Sequence, residues 1–183
     1  MRISLKSKPV IAPYRSTHNL RVIIQWAEEH GIDTASILSS EGLEKADFDN
    51  PDRLITFEQQ FEISQKLFDL ISCPALGLRI GERINIGQLG KWIMAINSCA
   101  TTLDAFKMAF ELADLLSFPF QFILDVQDDI AKFSFIDLID LGRSSRFRYE
   151  MHMVGGYNIC CEIMRERVQL IEIRFAYSKP EYA

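Results

Sequence analysis

The spacing of apolar residues changes once along the chain, near residue 118, and this change constrains the fold more than any other feature. Before it, apolar residues recur every three to four positions, as at Phe106, Phe110 and Ala113, which is the period of an amphipathic helix. After it, apolar residues such as Phe120 and Phe122 occupy every second position, as in a half-buried strand. The pattern predicts an α+β fold: a helical N-terminal two-thirds followed by a small antiparallel β-sheet with a long helix (β-β-α-β).

Local signals divide the helical part of the chain into separate helices. Asp33 is a good N-cap, and Thr56 with Gln59 has the form of a capping box. Pro74 is suited to the start of a further helix. The predicted helices are residues 18–30, 34–40, 56–71, 74–81, 89–96 and 101–116.

The last third of the chain is predicted to hold a hairpin, a helix and a strand. Strands at residues 118–126 and 131–135 are joined by a short acidic turn, which predicts an antiparallel hairpin. A long helix is expected after Ser144 and Ser145, ending near residue 165. Residues 168–177 are rich in Ile and Phe and are predicted to form the third strand.

The first 16 residues show no periodicity. They contain Pro9 and Pro13, so we expect a flexible or extended arm at residues 1–16. Residues 17–183 are then expected to fold as one domain, since a chain of 183 residues can bury a sizeable core.

Charge and hydropathy exclude several classes of protein. A formal net charge of −5 lacks the basic surface that a nucleic-acid-binding module needs. No apolar run approaches the roughly 18 to 20 residues that cross a bilayer, and the N-terminus lacks the apolar block of a signal peptide. We therefore expect a cytoplasmic protein with no membrane partner. Its four cysteines are expected to be reduced, small buried side chains.

No pattern of residues predicts catalysis, a metal or a cofactor. The glycines at positions 77, 81, 87 and 90 lack the Gly-Lys-Ser/Thr end of a phosphate-binding loop, so they are expected to cap helices or let them approach closely. With only three histidines, no Ser or Cys is placed as an activated nucleophile. Ligation of haem or metal by His152 with Cys160 or Cys161 stays open as an alternative, although eight or nine residues separate them. We expect no enzyme activity, no metal and no cofactor.

Several motifs occur in a characteristic order between residues 74 and 116. They are PALGLRIG at 74–81, GQLG at 87–90 and SCATTLDA at 98–105, followed by the helix to Leu116. This series resembles the N-terminal, arabinose-binding-like domain of AraC/XylS-family transcription regulators. The resemblance implies an effector-sensing and dimerising domain at 17–183, truncated before the C-terminal helix-turn-helix DNA-binding domain. It implies a homodimer that reaches DNA only through that missing domain, and it does not imply arabinose as the effector.

Two groups of residues are candidates for binding a small organic effector, because such pockets are mostly apolar with a few polar groups. One group is aromatic and lies before the period change; the other lies on the long C-terminal helix. The candidates are Trp92, Phe106, Phe110, Arg146, Tyr149, His152, Tyr157 and Asn158.

Each group also has a plainer interpretation. The aromatic residues fit ordinary core packing, and the helix fits a half-exposed surface. The cluster Arg143, Arg146 and Arg148 suits either an anionic effector or a solvated turn. A dimerisation or protein-interaction module without a ligand therefore remains the alternative function.

Overall fold

The computed structural model describes residues 2–8, 13–50, 53–89, 92–116, 118–128 and 130–182. The seven helices predicted from the sequence are all present, with their ends shifted by a few residues. The helices are α1 (His18–Glu29), α2 (Thr34–Ser40), α3 (Phe57–Leu70), α4 (Leu76–Gly81), α5 (Trp92–Asn97), α6 (Thr102–Leu116) and α7 (Ser145–Met164). The capping box of α3 is confirmed: the Gln59 amide donates to the Thr56 hydroxyl at 3.1 Å, and the Thr56 amide donates to the Gln59 side chain at 3.0 Å.

The predicted hairpin is also confirmed. It consists of β4 (Phe120–Gln127) and β5 (Ile130–Asp137), which pair antiparallel with Phe120 opposite Asp137. Asp128, at its turn, has a φ of 54°, a left-handed conformation that Asp tolerates better than most residues. The hairpin and the helices together confirm the α+β class.

The third strand of the sheet comes from the start of the chain. It is β1 (Arg2–Lys6), which pairs antiparallel with β4 and gives the strand order β1-β4-β5. Ser7 extends the pairing, because its amide donates to the carbonyl of Phe122 and its hydroxyl accepts from the amide of Phe122. A second, two-stranded sheet joins β2 (Tyr14–Ser16) to β3 (Leu54–Thr56). The division into an arm at 1–16 and a domain at 17–183 stays a prediction.

The strand predicted at residues 168–177 is absent, and this part of the prediction was wrong. These residues carry no strand pairing and follow α7 as an irregular segment. The amide of Val168 donates to the Sγ of Cys161, and the Tyr157 hydroxyl donates to the carbonyl of Val168, so the segment is attached to α7 itself. The third strand of this sheet is β1, on the far side of β4 from β5.

The buried apolar side chains of the described residues form three clusters, and α7 contributes to each of them. The first packs α1 to α4 against Phe147 and Met151, the second joins α5 and α6 to Ile163, and the third lies between the hairpin and Tyr149. Because one helix borders three clusters, the region where they meet lies along α7.

Two glycines of α4 allow it to lie directly against α7. A Cβ at Gly77 would lie 2.5 Å from the carbonyl oxygen of Phe147, and one at Gly81 would lie 2.8 Å from that of Met151. These glycines therefore have the close-packing role expected from the sequence.

Candidate functional site

An apolar cavity of about 130 Å³ lies where the three clusters meet. Its walls come from α6, α7 and the hairpin, with Val22 of α1 and the segment at Ile84 and Asn85 closing it. From α6 come Phe106, Ala109, Phe110 and Ala113, and from the hairpin and the residues before it come Phe118, Phe122, Leu124 and Phe133. From α7 come Met151, His152, Gly155, Gly156, Ile159, Cys160 and Ile163.

Small residues on two facing helices create the space. Ala109 and Ala113 lie one turn apart on α6, and Gly155 and Gly156 lie on α7, so these positions place little side chain in the cavity. A Cβ at Gly156 would lie 2.8 Å from the ring of Phe133, which shows how closely that ring approaches the helix. The helical sides of the cavity thus combine small residues with the rings of Phe106 and Phe110, and its sheet side is formed mainly by aromatic rings.

The aromatic side of the cavity is a packed group of rings. Phe122 and Phe133 are stacked with their centroids 5.8 Å apart, and Phe110 meets Phe133 edge-on at 6.3 Å. Such pairs stabilise the fold beyond their buried area and hold each ring in one orientation. The sheet side of the cavity is therefore preformed.

The polar groups that border the cavity are few, and none carries a charge at neutral pH. His152 donates from Nδ1 to the carbonyl of Arg148 at 2.7 Å, and burial lowers the pKa of His152 to about 4. Burial likewise raises the pKa of the Cys160 thiol to about 11. The cavity therefore contains a neutral imidazole, a protonated thiol and the side chain of Asn85.

Three of the eight candidate effector residues line the cavity: Phe106, Phe110 and His152. Two others bind backbone instead, since Tyr157 donates to the carbonyl of Val168 and Asn158 donates to the carbonyls of residues 81, 82 and 84. Whether any of these residues contacts an effector stays a prediction.

The remaining candidates lie elsewhere. Tyr149 donates to Asp137, and Arg146 pairs with Glu150 at 3.2 Å on another face of α7. The side chain of Trp92 lies outside the described residues.

Most residues that line the cavity escaped the sequence analysis. Phe122 and Phe133 lie on the inner face of the hairpin, a face that the two-residue period did indicate, but a buried Phe there is typical of any core. Ala109 carries no chemical signal, and the Gly155-Gly156 pair indicates only that another element or a ligand can approach this helix closely. Their role depends on which elements face them, and that is set by tertiary packing.

The described residues form neither a metal site nor a membrane-spanning helix. All four cysteines are free and partly buried, and among the described residues no three His, Cys, Asp or Glu side chains are grouped as a metal site would require. No helix in the described part of the chain is both long and apolar enough to span a membrane.

Comparison with known families accounts for most of the chain. Residues 31–183 match the family described as the arabinose-binding domain of AraC transcription regulators, N-terminal. The chain belongs to this family. The resemblance seen in the sequence motifs is thereby confirmed, and the AraC-type domain described here is a regulatory domain of transcription regulators.

Individual relatives of this AraC-type domain are also regulators. It is 25% identical over 161 residues to an ornithine utilization regulator of Pseudomonas aeruginosa, a match that covers 88% of this chain and 48% of the relative. It is 28% identical over 90 residues to uncharacterized HTH-type transcriptional regulators of Mycobacterium bovis and Mycobacterium tuberculosis, covering 49% of this chain and 26% of each relative. The chain thus spans about half, or less, of the length of these relatives. No solved structure matches it.

Proposed function

We propose that this AraC-type domain senses a small organic effector that binds in the apolar cavity, and that binding controls a helix-turn-helix DNA-binding domain outside this chain. The cavity is the observation that carries the proposal. An apolar cavity of about 150 Å³ takes up a molecule the size of benzene, and the cavity here is of similar size at about 130 Å³.

The chemistry of the cavity supports binding rather than catalysis. A cysteine nucleophile needs a lowered pKa, but burial raises the pKa of Cys160 to about 11. His152 is neutral, and its Nδ1 proton is committed to the backbone carbonyl of Arg148. These groups suit the orientation of a ligand, so we propose that the domain is not an enzyme.

The position of α7 supplies a route from the cavity to the end of the chain. One face of α7 lines the cavity, and Glu150 on another face accepts hydrogen bonds from the hydroxyls of Tyr177 and Tyr182. An effector regulates only if it binds one arrangement of the protein more tightly than another. We propose that the effector favours one position of α7 and thereby changes how the residues after it are held.

A cavity-filling variant tests the proposal. We expect thermal unfolding, measured against a panel of amino acids, amines, fatty acids, aromatic acids and sugars, to identify a ligand that stabilises the wild type by about 2.7 kcal/mol at a hundred times its Kd. Ala109→Leu places three more carbons in the cavity and should abolish that stabilisation without unfolding the protein. Ala35→Leu, at an exposed position of α2, is the matched control. Retained stabilisation in Ala109→Leu would place the ligand elsewhere.

The second candidate is a dimerisation module with no ligand. The edge of β5 favours it: β5 pairs only with β4 among the described strands, and it exposes Ile130 and Ile136. Exposed apolar edges are typical of strand pairing between two copies of a chain. The same panel discriminates the two functions. No stabilisation by any ligand, together with a dimer in sedimentation, would favour this module over the sensor.

A further inference from the structure

A second, smaller cavity of about 20 Å³ lies beside the first, between β2, α3 and α7. Three residues, Phe118, Met151 and His152, border both cavities. Unlike the larger cavity, the smaller one is bordered by two arginines, Arg15 of β2 and Arg148 of α7. The larger, apolar cavity and the smaller cavity beside the two arginines are therefore adjacent, with these three side chains between them.

Both arginines are buried, at 4% and 5% exposure for Arg15 and Arg148. Arg15 Nη1 donates to the Gln60 side chain at 2.9 Å, and Arg148 Nε donates to the Ser144 hydroxyl at 3.0 Å. Three further buried nitrogens, Nε and Nη2 of Arg15 and Nη2 of Arg148, have no hydrogen-bond partner among the described residues. Several strong donors are thus left unused inside the protein.

No carboxylate of a described residue lies within 4 Å of either guanidinium. The guanidinium carbon of Arg15 lies 4.4 Å from the ring centroid of Phe57, and that of Arg148 lies 4.7 Å from the ring centroid of Phe61. These cation–π contacts hold the guanidinium groups in place, but a ring stacked on the face of a guanidinium accepts no hydrogen bond from the N–H groups in the guanidinium plane. Burial lowers the pKa of Arg148 to about 10. Burial and the charge of Arg148, partly offset by the charge of Glu58, lower the pKa of Arg15 to about 10 as well, so both arginines remain charged at neutral pH.

Two buried like charges with no carboxylate in contact are costly to a fold, and strongly perturbed charged groups of this kind cluster at functional sites. The small size of this cavity favours a carboxylate over a larger anion such as phosphate. A space of about 10 to 15 Å³ holds one water-sized group, so about 20 Å³ suits the two oxygens of a carboxylate better than a phosphate. The planar fork of a guanidinium also matches a carboxylate.

We infer that the effector is a small organic carboxylate with an apolar tail, whose carboxylate binds Arg15 and Arg148 while its tail fills the cavity along α6 and α7. This inference rests on the proposed effector-binding function and specifies its ligand class. His152 lies between the two parts of the ligand. Its Nδ1 is bound to the carbonyl of Arg148, which leaves Nε2 as the ring nitrogen that would face the head group or a water beside it.

Matched probes that differ only in the head group test this inference on the 183-residue chain. We expect 3-phenylpropanoate to bind about 10- to 100-fold more tightly than 3-phenylpropan-1-ol in calorimetric titration, the range expected of charge-assisted hydrogen bonds. Octanoate and octan-1-ol repeat the comparison with a linear tail. Arg15→Met and Arg148→Met should each reduce the preference for the acid to below about threefold while the alcohol binds as before.

The variants are designed to remain folded, because removing a buried unpaired charge relieves its desolvation. Arg148→Gln provides a second variant that keeps polarity without charge, and it should lose the preference as well. Arg143→Met is the control, since Arg143 is exposed and pairs with Asp69.

The outcomes separate this inference from the proposed function. Equal binding of acid and alcohol to the wild type overturns the carboxylate inference but leaves the cavity as a binding site. A preference that survives in both Arg15→Met and Arg148→Met also overturns it. Loss of the preference in these variants, but not in Arg143→Met, supports it. Failure of every probe overturns the inference, while the broad panel with Ala109→Leu decides the proposed function separately.

Discussion

His152 is held in the interior by its neighbours as well as by its hydrogen bond to the backbone. Its ring meets those of Phe118 and Phe120 edge-on, with centroids 5.5 Å and 4.9 Å apart. Burial disfavours the imidazolium, and the nearby charge of Arg148 disfavours it as well, so the folded protein keeps this side chain neutral. Unfolding restores an ordinary imidazole, which takes up a proton at mildly acidic pH.

The pH dependence of stability follows from this difference. The pKa of His152 is about 4 in the folded state against 6.5 unfolded, so between these values the unfolded state binds more protons. Stability from this residue is complete above pH 6.5 and falls as the pH drops toward 4, by about 1.4 kcal/mol per pH unit. We expect chemical denaturation to show a steeper loss of stability from pH 7 to pH 5 in the wild type than in His152→Phe. Parallel pH profiles of the two proteins would contradict this assignment.

Single residues also show the limit of inference from the sequence. Arg143, Arg146 and Arg148 form one cluster in the sequence, yet Arg143 is exposed, Arg146 pairs with Glu150, and only Arg148 is buried beside the smaller cavity. Residues two positions apart on a helix face different directions, and α7 is covered on several sides. The sequence therefore locates the charge, but only the packing shows which arginine faces a cavity.

At the scale of elements, the contact between α4 and α7 leaves no room for a side chain at Gly77. Gly77→Ala would place a Cβ 2.5 Å from the Phe147 carbonyl oxygen and 2.6 Å from the Glu150 Cβ, neither of which can move without shifting α7. We expect a loss of about 1 to 3 kcal/mol in the free energy of unfolding, measured by urea titration. Gly87→Ala is the control, because its Cβ meets only the exposed Asn85 Oδ1. Equal stability of the two variants would count against close helix contact.

Elements whose signal is local were predicted well. The helices have their own periodicity and caps, and the hairpin strands are joined by a short turn, so neighbours in sequence are neighbours in the fold. The segment at 168–177 has the composition of a strand but no partner, and it exposes Leu170 and Ile171. Strand propensity measures how well a residue fits into a sheet. It does not show whether another strand is available to pair with the segment. β1 has a partner strand in the fold, but that partner, β4, lies far along the chain, so the local sequence did not predict the pairing.

On the scale of the whole molecule, the N-terminus completes the sheet that forms one wall of the cavity. β1 pairs with β4 from Arg2 opposite Gln127 to Lys6 opposite Ile123, and β4 contributes Phe122 and Leu124 to the wall. β4, the middle strand, therefore has a paired strand on both sides only when β1 is in place.

Deletion of residues 1–8 tests this dependence. We expect the amides of β4 and β5 to exchange faster with deuterated solvent, because an isolated two-stranded hairpin is only marginally stable. The amides of α1 and α3 should keep their protection, since the core cluster that these helices share includes no residue of β1, β4 or β5. Ser4→Ala, at an exposed position of β1, is the control and should behave as the wild type. Unchanged protection of β4 in the deletion variant would show that β1 is dispensable.

The distance along the chain between β1 and β4 also sets an order of events during synthesis. At about 5 to 20 residues per second, translation separates the emergence of these two strands by roughly 6 to 25 s. The helices from α1 to α4 emerge within that interval, whereas the cavity needs residues as late as Ile163. A nascent chain therefore exposes its helical half long before the residues that complete the cavity have been synthesised.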